Sequence, residues 1–307
     1  MARTLLSRRP WPLLSVLLLG AGISPGVEAD QPAFTFRANT DEVRLTFAAT
    51  DQNDHGFATL QANDFVVVDQ DIIVRQFQSF TRCDWTRLEI AILADNSESV
   101  TPQFRQELAN IVDLISQTGG VPEENLSLFG FHDAHPALVC AGNCRSTHSA
   151  DRLPAARAGQ LTPLFDSVVF AADFLSQHGD AKTEKALIVF SDGIDTISIN
   201  SLAGAIESSL KDGVEIYAVD LHDASPSVRA SVLCRLATAT GGRYFPAPFE
   251  TTHILNVILD GFRATYQVDY RLPSHKSGFH SLRVLPTHNL NLEFRSRSGY
   301  YYPNQIR

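Results

Sequence analysis

The stretch LEIAILADNSESV, Leu88 to Val100, decides the fold. Its opening LEIAILA is apolar but for one acid and lacks the alternation of a strand with one wet face. A short run of this kind is a strand covered on both sides, as in a parallel sheet between helices. It then turns polar, and Asp95, Ser97 and Ser99 fall on alternate residues just where the buried strand ends.

The same pattern recurs downstream. Helical periodicity in TPQFRQELANIVDLISQT leads to the strand LSLFGF, and TPLFDSVVFAADFLSQH leads to KALIVFS. SLAGAIESSLK then precedes VEIYAVD, with a further helix around VRASVLCRLATAT, and a short ALVC after Phe131 fits an antiparallel edge strand. Repeated strand-helix units predict an α/β domain over residues 85–262, doubly wound around a mostly parallel central sheet with helices on both faces. The flanks differ. Residues 30–84 alternate in strand fashion, with DQD as a hairpin turn, and Tyr266, Val268 and Tyr270 resume the alternation in residues 263–307. The terminal strands are too few for a domain of their own, so the two segments are expected to pair as one small all-β module.

Residues 1–29 read as an export signal: Arg3, Arg8 and Arg9 precede the apolar Leu13–Leu19, and Val27 and Ala29 suit cleavage after Ala29. The apolar part is far below the roughly 20 residues of a bilayer span, and no later segment reaches that length, so the mature chain is expected to carry no membrane span. Arg8-Arg9 leaves twin-arginine export open beside the general route. The chain carries 25 basic and 34 acidic residues, a net charge of −9; without residues 1–29, which hold three arginines and Glu28, the balance is 22 − 33 = −11. That acidity argues against a nucleic-acid partner. An even cysteine count in an exported chain permits two disulfides. Cys140 and Cys144, separated by AGN, are the easier pair; Cys83 with Cys234 is the other. Cys140, Cys144 and His148 also form a spacing that can hold zinc, though no fourth ligand accompanies them. The expected location is periplasmic, cell-surface or secreted.

In doubly wound sheets, ligands bind beyond the carboxyl ends of the strands. Asp95, Ser97 and Ser99 end one strand; Ser191, Asp192 and the flexible Gly193 end another; Thr162 opens a helix between them. Three loops thus supply oxygen donors, few of them charged, which suits magnesium, with manganese or calcium as alternatives.

Asp95-Asn96-Ser97-Glu98-Ser99 resembles the Asp-x-Ser-x-Ser motif of von Willebrand factor type A domains, with Thr162 and Asp192 in the positions of that family's other two metal loops. The flanking LQANDFVVVDQD, FQSF, YQVDYRL and LEFRSRSGYYYP resemble the exported bacterial VWFA-related family named for acidobacteria. The resemblance implies a metal-ion-dependent adhesion site, bacterial in origin, in which Ser97 and Ser99 bind the cation directly and Asp95, Thr162 and Asp192 bind it directly or through water. An Asp or Glu of a protein partner would complete the coordination.

Each residue has a plainer reading. Thr162 before Pro163 is an ordinary helix start, Asp192 in SDG is a turn residue, and Asp195 can replace it as ligand. His132 and His135 read as a polar loop rather than a metal pair, and nothing is ascribed to the sequon at Asn125. Glu98 stands where the family has glycine; with Asp220 at the end of VEIYAVD it adds charge near the site, and turned inward it would fill the open position itself. The expected function is metal-dependent protein binding in adhesion or assembly. The alternatives are an assembly protein whose metal only stabilises the fold, and a metal-dependent hydrolase. No nucleophile elbow or phosphate-binding glycine loop marks the chain, so no enzyme is expected.

Overall fold

The computed structural model describes residues 42–52, 55–57, 59–83, 87–96, 102–117, 121–133, 136–145, 152–153, 161–178, 183–221, 228–288 and 291–303. The chain forms β1 (Glu42–Thr50), β2 (Phe65–Asp69), β3 (Ile72–Val74), β4 (Ser79–Arg82), β5 (Arg87–Asp95), α1 (Pro102–Gln117), β6 (Leu126–Phe131) and β7 (Ala137–Ala141). It continues through α2 (Leu164–His178), β8 (Thr183–Ser191), α3 (Leu202–Asp212), β9 (Val214–Asp220), α4 (Val228–Thr240), β10 (Tyr244–Phe245) and α5 (Thr251–Arg263). The last strands are β11 (Thr265–Arg271), β12 (Gly278–Pro286), β13 (Glu293–Ser296) and β14 (Gly299–Tyr302).

The central sheet has six strands in the order β10-β9-β8-β5-β6-β7, parallel except for β7, which runs antiparallel at the edge. Double-sided burial explains why β5 reads as an unbroken apolar run. Ile90, Ile92 and Ala94 join the cluster beneath α1 and α5, whereas Ala91 and Leu93 join the one beneath α2, α3 and α4. Truncating such an isoleucine to alanine costs about 2–5 kcal/mol. The chain leaves β5 toward β6 on one side and returns to β8 on the other, so strand order reverses between β5 and β8. That reversal opens the crevice where doubly wound folds hold ligands.

The terminal segments make two four-stranded antiparallel sheets, β13-β1-β11-β4 and β14-β12-β2-β3. Each mixes early and late strands: β1 pairs with β11 and β13, and β2 pairs with β12. A shared core of Leu45, Phe47, Phe65, Val67, Tyr266, Val268 and Leu282 closes them together. The hairpin between β2 and β3 turns on Gln70 and Asp71, both at positive φ (50° and 62°), the geometry that matches the twist of a two-residue hairpin.

Cys140 and Cys144 form a disulfide, with Cα atoms 5.2 Å apart, which takes both sulfurs from the zinc arrangement with His148; His148 lies outside the described residues. The second bond expected from the even count does not form, and Cys83 and Cys234 remain thiols. The parallel sheet stands between them. Cys83 is held at Thr265, just after α5 on one face, while Cys234 lies in α4 on the other.

Candidate functional site

β5, β8 and β9 end in register, so Asp95, Ser191 and Asp220 lie side by side along the carboxyl edge of the sheet. All three are buried. The Ser191 hydroxyl donates to Asp95 Oδ2 at 2.8 Å and accepts from the Gly193 N–H at 3.1 Å. Gly193 has φ +76°, a region L side chains avoid, so glycine lets the chain turn there. Asp192 is 7% exposed and its Oδ1 accepts from the Ile194 N–H at 2.9 Å, closing the turn.

The loop then reaches the start of α2. Thr196 N–H donates to the Thr162 carbonyl at 2.9 Å, and Thr162 N–H donates to Thr196 Oγ1 at 2.7 Å. Asp195 Oδ1 accepts from the Phe165 N–H at 3.2 Å, and Ser198 Oγ from the Asp166 N–H at 3.1 Å. Asp166 in turn accepts from the Ile199 and Asn200 N–H groups at 2.9 and 2.8 Å. One loop therefore touches Asp95 at its beginning and Thr162 farther on. Asp195 and Ser198 supply the acceptors that the first turn of α2 requires. Asp195 is thus engaged as a helix cap, a role that three-residue spacing from Asp192 does not reveal.

Asp95 lies at this edge, Asp192 follows Ser191 on it, and Thr162 is tied to the same loop through Thr196. Ser97, Glu98 and Ser99 lie outside the described residues. Asp220 accepts a hydrogen bond from Tyr244 at 2.8 Å; burial, then that bond, raises the Tyr244 phenol well above its ordinary range. His132 sits 3.1 Å from the Asp133 carboxylate, and His135 lies outside the described residues. Asn125 is buried with its amide donating to the Leu88 carbonyl at 3.2 Å.

The donors fit a hard cation in type: buried carboxylates and hydroxyls, with no sulfur or imidazole among those described at this edge. Among the described residues, no three His, Cys, Asp or Glu side chains gather as a metal cluster; the expected set has two carboxylates and three hydroxyls. Beside Asp95, the side chain of Asn96 is fully buried with neither polar atom hydrogen-bonded among the described residues, an arrangement that calls for a polar partner. Leu161 and Ile197 are 47% and 36% exposed, and Ile199 is 95% exposed on a loop whose backbone is fixed by Asp166. Sequence reading missed two features here: Ser191 as the residue that orients Asp95, and the apolar rim. The hydroxyl in the last position of β8 was the available signal for the first.

No family model matches the chain, and no curated protein sequence matches it. Among solved structures, it is similar to a von Willebrand factor type A protein from Catenulispora acidiphila at 10% identity and a TM-score of 0.46, covering 88% of this chain and 76% of that one. It is also similar to the conserved hypothetical protein BatB from Bacteroides thetaiotaomicron, at 12% identity and a TM-score of 0.39, over 56% of this chain and 96% of that one. Proximal thread matrix protein 1 from the mussel byssus aligns at 13% identity and a TM-score of 0.44, over 58% of this chain and 48% of that one.

Proposed function

We propose that this chain is an exported protein-interaction module that binds its partner through a divalent cation, magnesium first, rather than an enzyme. The observation that supports the reading is the lacing of the loop after β8, which bonds to buried Asp95 at one end and to the start of α2 farther on, beside the switch point of the sheet. Asp95, Thr162 and Asp192, with Ser97 and Ser99, would hold the cation. The cation would act as a Lewis acid for one carboxylate from the partner. Ser191 fixes the rotamer of Asp95, and Gly193 lets Asp192 turn back toward the same edge. In an extended loop alternate residues point opposite ways, so Glu98 would turn outward if Ser97 and Ser99 hold the cation.

The Cys140–Cys144 disulfide supports an oxidising compartment. No helix among the described residues is long and apolar enough to cross a membrane.

The test is capture of envelope proteins on the immobilised mature chain. A partner retained with magnesium, released by EDTA and lost with Thr162→Ala supports the reading. A partner indifferent to both would leave the cation a stabiliser of the fold alone, and turnover of a phosphoester or peptide substrate with metal present would favour the hydrolase.

A further inference from the structure

We propose that the cleft between the α4–β10 corner and the open seam of the β module binds a small organic acid, a carboxylate carried on an apolar body. The cleft has a volume of about 540 Å³, within the range of small-molecule sites. Leu282, Val284 and Phe294 line it from β12 and β13, which belong to different sheets and share no ladder. The seam therefore opens onto the edge of an apolar core.

The cleft is basic in an acidic chain. In a chain of net charge −9, three arginines, Arg243, Arg283 and Arg295, line it against one carboxylate, Glu293. Arg283 also pairs with Asp71 at 3.4 Å, a contact of two exposed side chains that contributes little. Burial, and then repulsion from Arg295, weaken the hold of Arg243 on its proton, against the pull of Glu293. Arg295 is fixed over the Tyr217 ring, 5.7 Å from its centroid, and its Nε–H is buried without a hydrogen bond. The acid behind it, Glu215, is pushed up to about 7 by burial, so near neutrality it balances Arg295 only in part. A carboxylate seated at Arg243 and Arg283 relieves the repulsion between Arg243 and Arg295 and matches the planar donors of the first two, while its apolar body covers the seam. This site is independent of any cation at the carboxyl edge of the sheet.

Cys234 lines the cleft and Cys83 does not, and both are partly buried thiols, so one chain carries a reporter and its control. The experiment follows labelling of both thiols by iodoacetamide on the folded mature chain with 1-naphthoate, neutral 2-naphthalenemethanol or inorganic phosphate. At ten times its dissociation constant, 1-naphthoate should slow Cys234 about tenfold by mass action and leave Cys83 unchanged. Arg243→Gln should raise the concentration for half-protection by about tenfold, the loss of one charge-assisted hydrogen bond. Arg283→Gln, at an exposed position, should raise it as well; an unchanged Cys83 rate certifies the fold of each variant. Equal protection by the alcohol or by phosphate, no protection by 1-naphthoate, or unchanged half-protection in both folded variants would overturn the proposal.

Discussion

Ser191→Ala removes a hydroxyl that joins the ends of β5 and β8. Its hydroxyl gives a hydrogen bond to buried Asp95 and takes one from the Gly193 N–H, at 2.8 and 3.1 Å. The alanine takes one hydrogen bond from a carboxylate oxygen and one from a backbone N–H, and a buried polar group that loses its bond costs roughly 1–3 kcal/mol. The cation-free protein should therefore lose about 2–6 kcal/mol, toward the low end if water enters or Asp95 keeps other bonds. Asp95 also loses the contact that orients it. Truncating such an outer partner lowers metal affinity by about 10–100-fold. Urea unfolding followed by circular dichroism, in EDTA and in saturating magnesium, measures the first quantity, and calorimetric titration the second. Ser209→Ala is the control: Ser209 is equally buried, but its hydroxyl donates to the Ala205 carbonyl within α3 at 2.9 Å. Parental stability and parental cation affinity in Ser191→Ala would refute the reasoning, as would the same affinity loss in Ser209→Ala.

Other expectations concern separate parts of the molecule. Glu215 titrates at about 7 when folded against a reference of 4.5, chiefly through burial. Its contribution to stability is then fully present below 4.5 and is lost as pH rises through 7, so Glu215→Gln should flatten the stability–pH curve across that window; urea midpoints at pH 5 and 8 measure it. Free-thiol labelling of the denatured, unreduced chain should modify Cys83 and Cys234 and spare Cys140 and Cys144. Reduction of that short loop should lower stability by about 2 kcal/mol. Ile199→Ser, at a side chain 95% exposed, should leave stability within about 0.5 kcal/mol and cation affinity unchanged, yet weaken partner binding by about tenfold in a surface-binding assay. Glu98→Gly should leave cation affinity nearly unchanged in calorimetry, and a large loss there would mean that Glu98 fills the site itself.

The sheet was legible because burial on both faces leaves a local signature: LEIAILA, KALIVFS and VEIYAVD contain nearly every residue of β5, β8 and β9. Pairing of the terminal strands followed from their alternation, but the division into two sheets did not, since a partner 200 residues away leaves no mark on periodicity. β10 spans only Tyr244–Phe245, too short to announce itself, and α5 follows a proline-punctuated loop that obscures its start. The positions of Asp95, Thr162 and Asp192 at strand and helix ends were readable. Asp195 was not, because its contact with the α2 N-terminus spans 30 residues. The cysteine count was a parity argument, blind to the sheet that separates Cys83 from Cys234.

The central claim is most directly tested by titrating the mature chain with magnesium and reading stoichiometry by calorimetry and stability by denaturant unfolding. The account predicts one cation per chain, with stability raised by about 2.7 kcal/mol at one hundred times the dissociation constant, and both signals lost in Asp95→Ala and in Asp192→Ala. No heat and an unchanged unfolding midpoint with magnesium, manganese and calcium alike would contradict it.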